Sequence, residues 1–196
     1  MNVFQLLSLL LEYPDERLVD GRDELAQAAA ELADDRPAAF VATLGTVALA
    51  DLQDEYVATF DFDRRASLHL TYHTHGDRRQ RGLELARLKR RFADAGLELE
   101  GSELPDYLPV LLEFAALAPS RERTEPLAQL RPSLELVRGR LHESGSRYAP
   151  LLDTLVAALP PLTREQEERA RRLAEEGPPG ELVGLDPVVT VPEGVS

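Results

Sequence analysis

Apolar residues recur along this chain with the spacing of helices. Between Leu49 and Phe60, five apolar residues fall at positions i, i+3, i+7, i+8 and i+11. This spacing places them on one helical face that can pack against a core. No segment of any length alternates apolar and polar residues, which is the pattern of a half-buried strand. The chain is therefore predicted to be all-α, with a single-domain helical bundle.

Caps and breakers predict where the helices begin and end. We expect Thr46 to cap a helix, and the pairs 77/80 and 163/166 to form capping boxes. Gly76 and Gly96 are expected to end helices, with Gly76 in a left-handed conformation. The predicted helices cover residues 3–11, 22–33, 37–45, 46–60, 65–75, 77–95, 107–117, 120–130, 132–143, 148–159 and 164–176.

The helix predicted for residues 107–117 is apolar nearly all round, which is typical of a helix at the centre of a bundle. Pro105 is expected in its first turn, and Asp106 is expected to complement the helix dipole. Glu113 stands among apolar residues, so we expect it to be paired with an arginine of the basic segment described below.

The chain is predicted to divide into three parts. Residues 1–160 form the helical domain, and residues 161–177 form a charged C-terminal helix. After Gly177 the sequence PPG opens a segment without periodicity. Residues 178–196 are therefore predicted to be a disordered tail.

Composition excludes several classes of site. The chain has no Cys, which rules out disulfides, thiolate metal sites and cysteine nucleophiles. No run of apolar residues is long enough to span a membrane. The apolar stretch of residues 3–11 lacks the positive start and the cleavage site of a secretory signal, so we interpret it as a core helix.

Charge is distributed unevenly. The net charge is -13, which argues against general affinity for nucleic acid or anionic lipid. Residues 64–91, however, hold nine Arg or Lys against Asp77 and Glu84, so this basic segment is +7 and the remainder is -20. The segment is either a solvated helix face or a docking patch for an acidic partner or phosphate-bearing ligand.

His69 and His73 stand four residues apart in the helix predicted for residues 65–75, with Asp77 just beyond it. Two imidazoles on one face can bind zinc, although no glutamate stands between them as in a metalloprotease. Packing and hydrogen bonding are the favoured roles of these histidines.

The standard catalytic motifs are absent, so no catalytic residue and no metal ligand is predicted. The alternatives are a metal-dependent helical enzyme using His69, His73 and Asp77, and a nucleic-acid-binding regulator acting through residues 78–91.

Four sequence blocks resemble one known family. They are FQLLSLLLEYP at 4–14, YVATFD at 56–61, LHLTYHTHGDRRQRG at 68–82 and LPDYLPVLLEFAA at 104–116. In this order and spacing they resemble the NarJ-type assembly chaperones of respiratory nitrate reductase, within the TorD/DmsD group. The resemblance covers about the first 160 residues.

The resemblance implies a cytoplasmic chaperone, which is not an enzyme. It would bind the N-terminal segment of the apo catalytic (alpha) subunit of nitrate reductase and assist insertion of molybdopterin guanine dinucleotide, without holding that cofactor permanently. Proteins of cofactor biosynthesis are possible further partners, whereas nucleic acid and direct membrane insertion are not expected.

The peptide-binding residues are predicted from this resemblance and from the apolar helices that could form a groove. The junction at residues 75–78 is expected both to shape a rigid corner and to display charged side chains beside that groove. The predicted set is Tyr56, Phe60, Leu68, Tyr72, His75, Gly76, Asp77, Arg78, Arg81, Pro105, Asp106, Leu108 and Glu113.

Overall fold

A computed structural model describes residues 1–76, 79–99, 101–119 and 122–177. The described residues form twelve helices, which confirms the all-α prediction. Their bounds are α1 Val3–Leu10, α2 Glu16–Asp20, α3 Arg22–Ala30, α4 Arg36–Thr43, α5 Leu49–Phe60, α6 Tyr72–His75, α7 Arg79–Asp94, α8 Leu108–Leu117, α9 Glu125–Gln129, α10 Arg131–Glu143, α11 Ala149–Ala157 and α12 Arg164–Glu176. No helix among these residues has the length and apolar character needed to cross a membrane.

Helices α1 and α8 pack together at the centre of the bundle. Leu7 and Leu111 are completely buried there, as expected for helices that are apolar on most sides. Ser8 interrupts the apolar surface of α1, but its hydroxyl donates a 2.9 Å hydrogen bond to the Pro109 carbonyl oxygen. A buried polar group is thereby satisfied, and the central position predicted for residues 107–117 is confirmed.

The remaining helices surround this pair. Helix α11 contacts α1, α4 and α10, while α3 packs against α4 and α12 packs against α10. On α5, Leu52, Tyr56 and Phe60 are buried, as the apolar spacing predicts, whereas Leu49 and Val57 are half-buried. The core is therefore continuous from α1 outward to α5 and α11.

Several helix ends differ from their predicted positions. The chain inserts the short α2 before α3, because the Asp15 carboxylate accepts a 3.0 Å hydrogen bond from the Leu18 amide and begins a helix there. The prediction that Thr46 caps α5 is wrong, since α5 begins at Leu49 with Ala48 as its N-cap. The Thr46 hydroxyl instead donates to the Thr43 carbonyl oxygen at 3.2 Å, at the end of α4.

Residues 65–75 do not form one helix, and only Tyr72–His75 is helical. The Leu70 amide donates to the Asp106 carbonyl oxygen at 3.0 Å, and the Leu108 amide donates to the Leu68 carbonyl oxygen at 2.9 Å. These bonds form a single antiparallel bridge. Backbone pairing with a distant segment has thus replaced the local helical bonds that periodicity alone predicts.

The predicted helix terminators Gly76 and Gly96 and the predicted capping box at 163/166 are confirmed. Gly76 and Gly96 have φ values of 55° and 77°, a region that glycine adopts without the steric cost of a Cβ. Thr163 and Gln166 form the reciprocal capping box at the start of α12. The other predicted box depends on Asp77, which lies outside the described residues, as do residues 178–196.

Candidate functional site

A buried polar cluster joins the Leu68–Gly76 segment to the start of α8. The Asp106 side chain is completely buried. Its Oδ2 accepts hydrogen bonds from the Thr71 amide at 3.2 Å, from the Thr71 hydroxyl, and from Arg81 Nη2 at 3.3 Å. Pro105 was predicted to lie in the first turn of α8, which is wrong, because Tyr107 is the N-cap of that helix. The Asp106 carboxylate instead connects three segments of the chain through hydrogen bonds: its own segment before α8, the segment with His69 and Thr71, and α7 through Arg81.

The environment of Asp106 favours its charged form. Burial alone would raise the pKa of this carboxyl group. Hydrogen bonds from His69 and Thr71, together with the positive charge of Arg81, outweigh burial and hold the pKa of Asp106 below its ordinary value. The carboxylate is therefore ionised, and it accepts hydrogen bonds from His69, Thr71 and Arg81.

The two histidines have separate structural roles. His69 Nδ1 lies 3.3 Å from Asp106 Oδ1, so it donates to that ionised carboxylate. His73 is fully buried, its Nε2 donates to the Ser67 carbonyl oxygen at 2.8 Å, and burial lowers its pKa to about 4. Only His73 lies in a helix, so the paired helical face required for the metal hypothesis does not form. The described residues contain no group of three potential metal ligands, and Asp77 lies outside them.

A line of aromatic side chains connects this cluster to the core. The Tyr56 hydroxyl donates to the Leu11 carbonyl oxygen at 3.0 Å and lies 2.8 Å from the Tyr107 hydroxyl, which donates to it. The Tyr107 ring lies over His69, with 5.2 Å between ring centroids. Burial raises the pKa of both tyrosines. Tyr107 therefore keeps its proton and orients His69 against Asp106.

A small pocket of about 210 Å³ opens beside the cluster. The Arg81 guanidinium carbon lies 5.9 Å from the centre of the Tyr72 ring at its edge. The pocket brings together three residues that were predicted to bind peptide, Phe60, Tyr72 and Arg81. Its full lining is Phe60, Asp61, Arg64, Ser67, His69, Tyr72 and Arg81.

A larger groove of about 580 Å³ lies on the other side of Tyr107. Its walls come from the segment between α1 and the start of α2, from one face of α8, and from the end of α7 with the residues that follow it. Leu117 and Tyr13 keep 61% and 49% of their surface exposed at its edge. The apolar lining is Tyr13, Phe92, Leu97, Leu99, Tyr107, Pro109, Val110, Phe114 and Leu117. The fold therefore leaves apolar surface exposed at the edge of the groove, while Phe92, Pro109 and Phe114 are buried beneath it.

Acidic residues surround the groove. Among the described residues that line it, Arg17 is the only cation, and it is paired with Asp15 at 2.8 Å. Burial, with the nearby charges of Glu113 and Asp15, raises the pKa of Glu12. The acidic lining residues are Glu12, Asp15, Glu98, Glu103 and Glu113.

Glu113 is exposed at this groove. Within the described chain it makes no hydrogen bond or ion pair, so the expected pairing with an arginine is wrong. The physical reason is its position on the outer face of α8, where water solvates the carboxylate and no partner is required.

The predicted site residues are therefore dispersed. Only Glu113 lies in the large groove, and His75 lines a different cavity of about 410 Å³ beside α10 and α12. Asp77 and Arg78 lie outside the described residues. The predicted residues that are buried in the fold are Tyr56, Phe60, Leu68, Gly76, Pro105, Asp106 and Leu108.

Sequence reasoning missed most of the groove. Val110, Phe114 and Leu117 fall at i, i+4 and i+7 on α8, and this second apolar stripe was available as a signal. Glu12 and Tyr13 belong to the block at 4–14 that carries the family resemblance, but only residues 3–11 of the opening stretch were given a role, as a core helix. No local pattern indicates that the end of α7 would form the opposite wall.

Comparison with known proteins identifies the family to which this chain is similar. Residues 19–153 match the family described as nitrate reductase delta subunit. A relative from Escherichia coli strain K12, named nitrate reductase molybdenum cofactor assembly chaperone NarJ, is 35% identical over 189 residues, covering 93% of this chain and 80% of its own. A probable chaperone of the same name from Bacillus subtilis strain 168 is 34% identical over 160 residues, covering 80% of this chain and 87% of its own.

A longer protein also contains a similar region. The nitrate reductase-like protein NarX of Mycobacterium tuberculosis strain CDC 1551 is 33% identical over 147 residues. The match spans 75% of this chain but only 22% of that relative. The conserved unit therefore occurs there as one part of a larger polypeptide.

Proposed function

The chain belongs to the nitrate reductase delta subunit family, and on that premise we propose that it is an assembly chaperone for a nitrate reductase. Its client would be the N-terminal segment of the apo catalytic subunit, held in the groove between α7, α8 and the segment that connects α1 to α2. The Tyr107 ring lines this groove and packs on His69, which lines the smaller pocket. That pocket, with Tyr72 and Arg81, would contact residues flanking the bound segment.

The observation that carries this proposal is the exposed apolar groove. A short amphipathic helix binds by placing its apolar face into such a groove. Exposed Leu117 and Tyr13 and half-buried Val110 are the apolar side chains that a helix face can cover. Phe92 and Phe114 are buried and stack on each other beneath them, with 4.4 Å between ring centroids. A client helix of three turns would extend about 16 Å, comparable to the length of α8.

The charges of the rim support a cationic client segment. Five carboxylates line the groove, and among the described residues only Asp15 forms an ion pair, with Arg17. Lys or Arg residues beside the client's apolar face would relieve this accumulation of negative charge. A segment with acidic flanks would be repelled.

Holding the N-terminal segment would delay membrane attachment and keep the subunit open while molybdopterin guanine dinucleotide is inserted. The cofactor is cargo for the client, so the chaperone needs no permanent cofactor site and no catalytic residues. This role places the protein in the cytoplasm, where proteins of cofactor biosynthesis would meet the complex. The proposed division at residues 160 and 177 leaves this groove within one domain.

Calorimetry with the client's N-terminal peptide tests the proposal. Burying roughly 500 Å² of apolar surface would contribute about 12 kcal/mol, of which association and ordering consume a large part. We therefore expect a Kd between about 10 nM and 10 μM, with the negative heat-capacity change that apolar burial produces. A peptide of identical composition with its apolar face scrambled is the control. No binding at about 100 μM peptide to folded protein would reject the proposal.

A further inference from the structure

The outer face of α7 is exposed along its whole length. Arg79, Leu83, Ala86 and Arg90 fall at i, i+4, i+7 and i+11, and all four are exposed. The opposite face carries Leu88, which is buried. A sixteen-residue helix extends about 24 Å, so this face is long enough to engage another protein segment.

The charge of α7 is unbalanced on this face. The helix holds six basic residues against Glu84 and Asp94. Arg87 is paired with Glu84 at 2.5 Å, and Arg91 is paired with Glu125 at 2.6 Å. The exposed cations Arg79, Lys89 and Arg90 form no ion pair within the described residues, although the chain contains 35 acidic residues.

Helix α12 shows that a charged helix need not have this excess. It also has an exposed charged surface, but its four arginines are interspersed with five glutamates. Arg164 pairs with Glu168 there at 3.3 Å. Solvation of a helix face does not require an excess of positive or negative charge. The excess of positive charge on α7 therefore requires a separate explanation.

The centre of the α7 face suits close contact. Leu83 is 58% exposed, which makes it an apolar anchor surrounded by cations. A Cβ added at Gly82 would meet no atom within 4 Å, and Ala86 is similarly small and open. A partner backbone can therefore approach this part of the helix, and the fold does not depend on these side chains.

We infer that this outer face of α7 is a second docking surface, for a protein that presents an acidic patch. Asp or Glu side chains of the partner would contact Arg79, Lys89 and Arg90, and an apolar side chain would cover Leu83. The proposal goes beyond client-segment binding, because Phe92 lines the client groove from the opposite side of α7. Both surfaces can be occupied together.

Charge and size favour a protein over a nucleic acid or a membrane. The chain outside residues 64–91 carries -20, so an extended polyanion reaching past α7 would meet repulsion. The outer face also lacks the aromatic side chains on which single-stranded bases stack. A compact acidic patch fits within the length of the helix.

Site-specific photocrosslinking in a nitrate-respiring host tests this inference. A photoreactive residue replaces Ala86 in the full chain, and Ala174 on α12 is the control position. The protein captured at 86 is identified, purified and titrated against the chaperone. The test variant is R79Q/K89Q/R90Q, and R169Q/R171Q/R172Q on α12 is matched to it in charge change.

We expect the α7 variant to lose at least about tenfold in affinity for the captured protein, and the α12 variant to lose less than about twofold. Affinity for the client peptide should stay within about twofold in both variants. Arg90→Glu should abolish the contact, and replacing the crosslinked acid of the partner by Lys should restore it. This charge swap separates a specific contact from general attraction.

The contrary results are distinct. Equal capture at 86 and 174, equal losses in both variants, or no rescue by the charge swap would overturn the inference. So would α7-dependent binding of a DNA duplex of about 20 base pairs with a steep salt dependence, or of phosphatidylglycerol vesicles, in place of a protein. None of these results would contradict the proposal that the client binds in the groove.

Discussion

The junction around Asp106 and the groove beside Tyr107 are neighbouring regions with opposite properties. At the junction, charged and polar groups are buried and hydrogen-bonded to one another. In the groove, Leu117 and Tyr13 are exposed, and Asp15 is the only lining carboxylate that has an ion-pair partner among the described residues. A buried satisfied network stabilises one arrangement of the chain, whereas exposed apolar surface with unbalanced charge indicates a binding site. Sequence motifs drew attention to the junction, but the groove has the properties of a binding surface.

The largest expected effect is the loss of stability when the Asp106 carboxylate is removed. Asp106→Ala leaves Arg81 and Thr71 without their shared acceptor, so we expect the free energy of unfolding to fall by about 3–5 kcal/mol. Urea unfolding measures this loss. Asp94→Ala, an exposed change on α7, should alter stability by less than about 0.5 kcal/mol. A loss below about 1 kcal/mol for Asp106→Ala would contradict the architectural role of the junction.

The second expected effect is that the protein loses stability as the pH falls, because His73 is buried in its neutral form. Its pKa is lowered from 6.5 to about 4 in the folded protein, so the unfolded chain takes up a proton first as pH falls. Stability from the neutral imidazole is complete above about pH 6.5 and is lost as pH falls to about 4, by about 3 kcal/mol.

His73→Gln isolates this contribution, because its amide can still donate to the Ser67 carbonyl oxygen. Unfolding measured from pH 7 to 4 should show a flatter dependence in the variant than in the parent protein. The pKa of Asp106 is also lowered, but its ordinary value is 3.8, so its stabilisation is lost only at lower pH. Identical slopes for parent and variant would exclude a neutral buried His73.

Helix identity was largely predictable from sequence, because apolar spacing and caps are local. Thr163 with Gln166, and the apolar run at 107–117, were assigned correctly for that reason. The segment at 65–71 was not, since its backbone bonds go to residues 106–108, more than thirty positions away. The groove was missed for the same reason: its walls come from the segment after α1, from α7 and from α8, and no single stretch of sequence indicates that they lie together.

The third prediction tests the apolar surface of the groove. Leu117 is exposed in the free protein, so Leu117→Ser should change stability by less than about 0.5 kcal/mol. If the client covers this side chain, the variant should lose about 1–1.5 kcal/mol of binding, or roughly five- to tenfold in affinity. Titration with the client peptide measures the change. Leu104→Ser, an exposed leucine outside the groove lining, is the matched control.

The fourth prediction concerns the acidic rim. Glu113→Gln removes one solvated carboxylate while preserving shape, so we expect about two- to fivefold weaker binding of a cationic client peptide. The loss should shrink as salt is raised, because exposed charges are screened. Glu175→Gln on α12 carries the same charge change away from the groove. Equal effects of the two variants would show that only net charge matters.

The smallest expected effect is that of His75, and it decides how far the client site extends. The sequence motif predicts that His75 binds the client, yet its side chain lines the cavity beside α10 and α12, apart from the groove. If the groove holds the client, His75→Ala should change peptide affinity by less than about twofold. Tyr107→Phe is a useful comparison, because it removes the hydroxyl bonded to Tyr56 while keeping the ring at the groove wall. A loss of tenfold or more for His75→Ala, with stability unchanged, would extend the client site across the junction and restore the role that its motif predicts.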